Sequence, residues 1–464
     1  MGDAQGILRL ARDRLGFEDL RPGQREAVRA VTAGRDTLVV MTTGSGKSAI
    51  YQLAGWMIDG ATLVISPLIS LQRDQVENIE EEQPGEAAAI DASVSEGRRE
   101  ELLDRLAAEE LEFLLLAPEQ LAREETVDRL ADANVSLLVV DEAHCISEWG
   151  HDSRPDYLRI GELVDRLGSP TVLALTATAS PPVRDEILER LHMRDAELIV
   201  RGFDRPNIRL EVERHHDDRG KRRALVDRAE ALGGPGIVYV ATRRLAEETA
   251  EELGERGVRA LAYHAGLSGS RRDEAQEAFM EDRADVIVAT TAFGMGVDKP
   301  NVRFVLHSEV SDSVDSYYQE IGRAGRDGEP ADAVLFYRTE DLGLRRFFAA
   351  GSDDEERRAF DRSRVEMMRA YGEHDHCRRA FILSYFGEEA PPECGNCDNC
   401  EAGTGRAEAG EQPFDVGGAV VHAEWGEGVV QRYDGDQVVI LFDSVGYKTL
   451  SVELVTEGDL LEPA

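Results

Sequence analysis

Short runs of aliphatic and β-branched residues recur along the first 200 positions, separated by stretches with the spacing of amphipathic helices. The runs predict strands at residues 36–41, 61–67, 111–118, 135–142 and 170–179. Apolar strands that alternate with helices are typical of a parallel sheet covered by helices on both faces. We therefore expect a doubly wound α/β domain over residues 1–202.

A second series of the same kind predicts another α/β domain over residues 203–338. Its strands are expected at residues 236–242, 258–264, 284–291, 302–308 and 332–337. The polar segments 202–207 and 213–221 are interpreted as the joint between the two domains.

The pattern changes after residue 338. Residues 339–401 are helical in pattern and rich in arginine, and residues 402–413 have the small, polar composition of a flexible linker. Residues 414–464 return to short strands with intervening turns, which indicates a small antiparallel barrel or sandwich. The predicted fold class is α/β, with two tandem α/β domains, a helical subdomain and a small all-β C-terminal barrel.

The net charge of −38 argues, taken alone, against a protein that coats polyphosphate through bulk positive charge. No apolar run approaches the roughly 20 residues of a membrane span, and the N-terminus lacks the pattern of a secretory signal. We expect a soluble, cytoplasmic protein with no membrane partner. Only four of the 53 basic side chains are lysine. A GC-rich coding bias would explain the preference for arginine and a high-salt cytoplasm the excess acid, and composition does not separate the two.

The segment MTTGSGKS (41–48) follows a predicted strand and opens a predicted helix, which is the context of a phosphate-binding loop. Met41 stands where the strict pattern has its first glycine, and an ordinary glycine-rich turn is the alternative. Lys47 would reach the β- and γ-phosphates, and the Ser48 hydroxyl would bind Mg²⁺. The residues expected to contact the nucleotide are Thr43, Gly44, Ser45, Gly46, Lys47 and Ser48.

The segment VVDEAH (139–144) delivers two carboxylates at the end of an apolar strand, where open α/β sheets bind ligands. Asp141 suits the Mg²⁺ shell, and Glu142 suits the polarisation of an attacking water. A surface carboxylate pair would be the ordinary interpretation of this dipeptide alone. After a phosphate loop, it predicts hydrolysis of a nucleoside triphosphate.

Four of the five cysteines lie close together in sequence and predict a metal site in a reducing compartment. Their spacing, Cys377-x16-Cys394-x2-Cys397-x2-Cys400, suits tetrahedral Zn²⁺ held by four thiolates. Such a shell leaves no position for water, so the zinc is expected to be structural. His374 and His376 are competing ligands, and Cys145 is left over as a buried thiol beside the two carboxylates.

Eight segments resemble the ordered motifs of superfamily 2 helicases, and more narrowly those of RecQ DNA helicases, over residues 7 to about 400. They are LRPGQREAV (20–28), MTTGSGKS (41–48), SPLISLQRDQ (66–75), APEQL (117–121), DEAHCISEWGHDSRPDY (141–157), LTATA (175–179), TAFGMGVDKPNVRFVLH (291–307) and YYQEIGRAGRDG (317–328). The resemblance implies two RecA-like P-loop domains, ATP as the nucleotide and a zinc-binding subdomain at the four cysteines.

In the resembled family, the LRPGQ loop binds adenine. This implies that Gln24 contacts the base edge, Phe17 stacks on the ring and Arg21 helps to clamp the base. Packing at a helix end is the alternative for Phe17.

Arg323 and Arg326 in IGRAGR are three apart on a predicted helix and are expected to project to one face. The resemblance implies that they enter from the second domain toward the γ-phosphate of ATP held by the first, with Arg326 as the arginine finger. A pair of surface salt-bridge arginines is the alternative.

The segment CISEWGHDSRPDY (145–157) resembles the loop that couples DNA binding to hydrolysis in RecQ proteins. The resemblance implies that Trp149 stacks on a single-stranded base, while His151 and Arg154 contact the backbone or relay the signal. Half-buried packing is the alternative for Trp149. Ser153 stands where a second aromatic residue is expected.

Many RecQ proteins continue past the zinc site with a winged helix, which we expect to be absent here. The tail 414–455 instead resembles the small Tudor-like module of some UvrD-type helicases. Residues 402–464 carry 12 acidic and 3 basic side chains. This balance disfavours phosphate binding and favours a protein partner for residues 414–464, with a stabilising appendage as the alternative.

The sequence therefore predicts an ATP- and Mg²⁺-dependent DNA helicase that moves 3′ to 5′ on single strands, associates with the nucleoid and acts on tailed or forked DNA in repair and recombination. The polarity rests on the RecQ resemblance alone. An RNA-directed or duplex-translocating ATPase of the same superfamily is one alternative. A scaffold that binds nucleotide without turnover is the other.

Overall fold

Two parallel sheets organise the chain into two units, Met1–Phe203 and Asp204–Ala464. The computed structural model describes residues 4–42, 44–67, 69–147, 155–294, 297, 299–343, 355–406, 410–458 and 460–464. Along these residues, no helix combines the length and the apolar character that crossing a membrane requires.

The first unit is a seven-stranded parallel sheet in the order β3-β4-β2-β5-β6-β1-β7. Most of its strands are buried along their whole length because helices cover both faces, which explains their continuous apolar runs. The strands are β1 Thr37–Met41, β2 Ala61–Ile65, β3 Ala87–Ile90, β4 Phe113–Leu116, β5 Val135–Val140, β6 Thr171–Thr176 and β7 Glu197–Arg201. The helices are α1 Ala4–Leu15, α2 Gln24–Thr32, α3 Lys47–Gly55, α4 Ile69–Glu82, α5 Glu96–Ala107, α6 Glu124–Ala131, α7 Ile160–Arg166 and α8 Pro181–Arg190.

The second unit begins with a six-stranded parallel sheet in the order β10-β11-β9-β12-β13-β8. Its strands are β8 Ile208–Arg214, β9 Gly236–Tyr239, β10 Ala260–Tyr263, β11 Val286–Ala289, β12 Phe304–His307 and β13 Ala331–Tyr337. Its helices are α9 Asp218–Leu232, α10 Arg243–Glu255, α11 Gly269–Met280 and α12 Val314–Ile321. Both sheets confirm the prediction of two tandem α/β domains.

A helical subdomain and a five-stranded antiparallel sheet complete the second unit. The subdomain contains α13 Glu355–Glu373, α14 Arg378–Tyr385 and α15 Asp398–Glu401. The antiparallel sheet has the order β17-β16-β15-β14-β18. Its elements are β14 Ala419–His422, β15 Gly426–Asp434, β16 Gln437–Phe442, β17 Gly446–Ser451, α16 Val452–Glu457 and β18 Leu461–Pro463.

The C-terminal sheet packs against the helical subdomain through aromatic and charged side chains. The ring of Tyr447 lies 5.4 Å from that of Tyr385, measured between centroids. The guanidinium of Arg432, which is 6% exposed, lies 3.9 Å from the centroid of Phe381. A buried cation over an aromatic face is a favourable contact because the ring replaces part of the lost hydration. The sheet is therefore fixed to the subdomain by buried contacts.

The strand prediction is incomplete. Residues 208–214, which lie between and within the polar segments assigned to the joint, form strand β8 and pair with β13 in parallel register. Residues 87–90 and 197–201 form strands β3 and β7, which were not predicted either. The C-terminal region contains the small antiparallel sheet that the sequence predicted, with the short helix α16 between β17 and β18. Alanine-rich and charge-alternating strands carry weak β signals, which explains why β3 and β8 were missed.

The loop before β4 provides a stability test. Burial raises the pKa of the Glu112 carboxyl to about 7, and the nearby charge of Glu86 adds to the increase. One carboxylate oxygen of Glu112 is buried without a hydrogen-bond partner in the described part of the chain. The folded state therefore holds this proton more tightly than the unfolded chain, so the stability that Glu112 provides in its protonated form is lost as the pH rises through about 7.

We expect Glu112→Gln to raise the free energy of unfolding at pH 8 by about 1 kcal/mol, after allowance for partial solvent screening. The gain should shrink at pH 5, where the native carboxyl is protonated. Urea denaturation at both pH values measures this difference. The exposed Glu100→Gln is the matched control, and an equal effect of Glu112→Gln at both pH values would contradict the assignment.

Candidate active site and metal centre

The phosphate loop joins β1 to α3 through two glycines in the left-handed region. Gly44 and Gly46 have φ angles of 78° and 76°, which side chains with a Cβ rarely adopt. The Lys47 ammonium donates to the carbonyl of Met41 at 2.9 Å. An incoming phosphate would compete with that carbonyl for the ammonium. Thr43 lies outside the described residues, so its predicted contact stays a prediction.

The two predicted carboxylates follow β5 at the carboxyl edge of the same sheet. Asp141 is 8% exposed, and one of its carboxylate oxygens accepts a hydrogen bond from the Ser66 hydroxyl at 3.3 Å. Glu142 follows directly with a φ of 48°, a strained value for a residue with a Cβ. The left-handed conformation of Glu142 ends the extended backbone of β5 and leads into the short helical turn Ala143–Ile146.

Charge around Asp141 favours a bound cation. Burial and the neighbouring Glu142 raise the pKa of Asp141 to about 6, while the positive charge of Lys47 opposes the increase. Carboxylate and hydroxyl oxygens are the ligand types that Mg²⁺ prefers. Asp141 and Ser48 therefore fit Mg²⁺, and the loop fits the phosphates of ATP.

Buried contacts of His144 join Glu142 to the LTATA segment. His144 is 1% exposed, and its Nδ1 lies 2.9 Å from the Thr176 hydroxyl and 3.3 Å from a Glu142 carboxylate oxygen. The Cys145 thiol is fully buried, with its sulfur 3.7 Å from His144 Nε2. Cys145 is thus the buried thiol that the sequence predicted.

The LRPGQ loop is hydrogen-bonded to the phosphate loop. Gln24 is 3% exposed, and its Nε2 donates to the carbonyls of Ser45 at 3.0 Å and Gly46 at 2.9 Å. The guanidinium of Arg21 donates to the carbonyl of Gly44 at 2.5 Å. A Cβ on Gly46 would lie 2.7 Å from the Gln24 amide, so this approach requires glycine. The Gln24 amide would have to release these carbonyls to contact a base bidentately.

Phe17 precedes that loop with 40% of its surface exposed. An exposed ring is available for stacking, and the contact of Phe17 with adenine stays a prediction.

Arg323 and Arg326 do not lie on a helix, and this part of the prediction is wrong. Helix α12 ends at Ile321, and residues 322–327 form successive turns. Gly325 has a φ of 55°, and a Cβ there would lie 2.4 Å from the Asn207 side chain. The two guanidiniums nevertheless reach the same loop, where Arg323 donates to the carbonyl of Gly294 and Arg326 donates to that of Val297 at 2.9 Å.

Trp149, His151 and Arg154, the predicted DNA contacts, lie outside the described residues together with Ser153. Two side chains that support Asp141 were not predicted. They are Ser66 and Tyr157, whose hydroxyl donates to the Asp141 carbonyl at 3.0 Å. Both stand within quoted motifs, so a search of those segments for buried hydroxyls would have found them.

The four predicted cysteines converge in the second unit. Their sulfur atoms all lie within 4.8 Å of one another, and Cys394 and Cys400 are 4.0 Å apart. Four sulfurs around tetrahedral Zn²⁺ are separated by about 3.8 Å, since each Zn–S bond is about 2.3 Å long. The cluster therefore fits Zn²⁺, as the sequence predicted.

Backbone donors and close packing shape the cysteine cluster. The N–H of Asn396 donates to the Cys394 sulfur at 3.4 Å, and that of Cys400 donates to the Cys397 sulfur at 3.5 Å. Such bonds stabilise thiolate charge. A Cβ on Gly405 would lie 2.5 Å from the Cys400 sulfur, so glycine is required there.

The two competing histidines have other partners. His374 Nδ1 lies 3.0 Å from a carboxylate oxygen of Asp434, and His376 Nδ1 lies 3.2 Å from the carbonyl of Thr404. Within the described residues, the group suited to a metal contains the four cysteines alone. The metal shell is closed by sulfur, which fits a structural zinc.

Three family models match the chain in succession, described as DEAD/DEAH box helicase (residues 21–187), helicase conserved C-terminal domain (220–328) and RecQ zinc-binding (339–401). A solved structure of the helicase Lhr from Mycobacterium smegmatis, bound to ssDNA and AMP-PNP, superposes with a TM-score of 0.55 at 24% identity. It covers 72% of this chain and 48% of that one, and this likeness concerns the fold.

Two curated relatives are named ATP-dependent DNA helicase RecQ. The protein from Bacillus subtilis is 43% identical over 389 residues, which are 83% of this chain and 65% of that protein. The protein from Haemophilus influenzae is 39% identical over 385 residues, or 83% of this chain and 62% of that protein. The chain thus spans slightly less than two thirds of the length of these relatives. The successive models, the zinc centre and the two relatives agree, and the chain belongs to the RecQ family of superfamily 2 helicases.

Proposed function

We propose that this chain is an ATP- and Mg²⁺-dependent DNA helicase that moves 3′ to 5′ along single-stranded DNA and separates duplex in repair and recombination. The observation that carries the proposal is the placement of a phosphate loop with left-handed Gly44 and Gly46 and of the buried Asp141 at the carboxyl edge of one parallel sheet, in a chain of the RecQ family. The names of the relatives support DNA as the substrate. The polarity is carried over from the RecQ resemblance.

The proposed hydrolysis uses four side chains of the first unit. Lys47 binds the β- and γ-phosphates, and Ser48 and Asp141 hold Mg²⁺, which would neutralise charge on those phosphates. Glu142 accepts a proton from water as the water oxygen bonds to the γ-phosphorus. The bond from that phosphorus to the bridging oxygen breaks, and ADP leaves with the electron pair.

Further residues are proposed to select the nucleotide and assist its hydrolysis. Phe17 would stack on adenine while Gln24 and Arg21 contact its edge, after exchange of their present contacts with the phosphate loop. Arg326, with Arg323 beside it, would stabilise charge that develops during phosphoryl transfer. Both are held by backbone carbonyls, which supports a fixed position for each guanidinium.

DNA is proposed to contact Trp149 by base stacking and His151 and Arg154 through the backbone. The net charge of −38 restricts such binding to local patches, because bulk attraction to phosphate is absent. The acidic segment 414–464 is proposed to bind a protein partner, and the chain is proposed to associate with the nucleoid.

Unwinding tests this proposal directly. The full chain, with ATP and Mg²⁺, is expected to separate a duplex with a 3′ single-stranded tail and a forked duplex, but not one with a 5′ tail or blunt ends. Single-stranded DNA should stimulate phosphate release more than duplex DNA or RNA does. A gel or fluorescence assay of strand separation, run beside a phosphate-release assay, measures both properties.

Each alternative has its own outcome in these assays. Equal stimulation by RNA and single-stranded DNA would favour an RNA-directed ATPase, and stimulation by blunt duplex alone would favour a duplex translocase. Nucleotide binding without phosphate release under any condition would favour the scaffold. The full chain is used because deletion of residues 402–464 would uncover Phe381 and Tyr385, on which the C-terminal sheet packs.

A further inference from the structure

A buried glutamine contacts the hydroxyl that is proposed to bind Mg²⁺. Gln75 lies on α4 and is 5% exposed. Its Nε2 lies 3.1 Å from the Ser48 hydroxyl oxygen, at the start of α3. Its other head-group atom, Oε1, is buried and has no hydrogen-bond partner among the residues that the structure describes. The Gln75 amide thus contacts Ser48 through Nε2, while its acceptor Oε1 is left unsatisfied within the described residues.

The chemistry of a serine ligand explains why such an amide would be useful. A hydroxyl has one proton and two lone pairs. When one lone pair binds Mg²⁺, the metal repels the proton, which then needs an acceptor on the side away from the metal. An amide that rotates by half a turn exchanges its NH₂ group for its oxygen. Gln75 can therefore donate to Ser48 without metal and accept the Ser48 proton when metal is bound.

We propose that Gln75 is a positioning residue for Mg²⁺: it orients the Ser48 hydroxyl and thereby sets the affinity of the site for the metal. This inference rests on the proposed function, because it takes Ser48 as a metal ligand. The rotated amide accepts the Ser48 proton through Oε1, so the hydrogen bond between Gln75 and Ser48 is kept when the hydroxyl binds the metal. Without this acceptor, the metal-bound hydroxyl would leave a buried proton unsatisfied, which weakens metal binding.

The test measures metal binding without turnover. Binding of a fluorescent ADP is followed by anisotropy across a Mg²⁺ series, and Mn²⁺ binding in the presence of ADP is followed by electron paramagnetic resonance. Gln75→Leu removes both donor and acceptor, and we expect it to raise the half-saturating metal concentration about tenfold. Gln75→Glu keeps an acceptor and adds negative charge, so we expect it to lower that concentration below the wild-type value.

Gln120→Leu is the matched control, since Gln120 is also a buried glutamine of the first unit whose Oε1 has no hydrogen-bond partner within the described part of the chain. It is expected to leave the metal dependence unchanged. A structural role for Gln75 would lower thermal stability without moving the metal dependence of the folded fraction. If Gln75→Leu does not fold, the half-saturating metal concentration of Gln75→Glu is compared with that of the wild type instead.

Wild-type metal dependence in both Gln75→Leu and Gln75→Glu would overturn the inference, as would an equal shift in Gln120→Leu. Failure of the proposed function is recognised separately. In that case, the wild-type chain releases no phosphate with DNA, whereas the metal dependence of ADP binding still reports on Gln75.

Discussion

Replacing Lys47 with alanine is expected to lower the single-strand-stimulated ATPase rate by on the order of 10²–10³-fold. Lys47 follows the two left-handed glycines of the phosphate loop, and its ammonium lies on the loop carbonyls near Asp141. Its removal leaves the phosphate charge without its main protein cation. The pKa of Asp141 should also rise further in the variant, because the positive charge of Lys47 lowers that pKa in the native protein. A steady-state phosphate-release assay at saturating DNA measures the loss.

Lys448→Ala is the matched control for this loss, because it removes the same side chain from the C-terminal sheet, where Lys448 lies over the Trp425 ring. It should leave the ATPase rate within about twofold, as expected for a surface charge. Glu142→Gln separates chemistry from binding: ATP should still bind while hydrolysis falls. Undiminished hydrolysis in both Lys47→Ala and Glu142→Gln would show that the active site lies elsewhere.

The fold was largely predictable because most strands of the parallel sheets are buried on both faces. Segments such as VSLLVV at β5 therefore consist almost entirely of apolar residues. Among the strands that were missed, β8 reads IRLEVER and alternates charged with apolar residues. It lies at the edge of its sheet, where one face is partly exposed. Residue pattern identifies a buried strand more readily than an edge strand, since only burial demands continuous apolar sequence.

The nucleotide and metal residues were predictable because their chemistry restricts both residue type and spacing. Contacts between motifs were not predictable. No sequence pattern indicates that the Gln24 amide donates to two phosphate-loop carbonyls, or that Gln75 reaches Ser48 from another helix. Helical spacing also failed for Arg323 and Arg326, because three glycines at 322, 325 and 328 favour turns. These three glycines were visible in the sequence and favour turns over the helix that the spacing of the two arginines suggested.

The zinc site supports the second unit at an edge strand, which predicts a large effect of its loss. The segment that carries the last three cysteines lies beside β8, where the N–H of Leu210 donates to the Asn396 carbonyl at 3.3 Å. A second bond joins the N–H of Val212 to an Asp398 carboxylate oxygen at 3.0 Å. The same Asp398 pairs with Arg378, which is 2% exposed. Without zinc, the four cysteines are no longer linked through a shared metal ion. The segment that carries the last three cysteines then loses the cross-link that holds it against β8.

We therefore expect Cys397→Ser to reduce bound zinc from about one ion per chain to almost none and to lower the stability of the second unit by several kcal/mol, roughly the loss of a structural site. Metal analysis and thermal denaturation measure these effects. Nucleotide binding should persist, because the phosphate loop belongs to the first unit. Cys145→Ala is the matched control, since this buried cysteine lies outside the cluster. Cys397→Ser protein that keeps a full zinc ion and the wild-type melting temperature would contradict a four-cysteine shell.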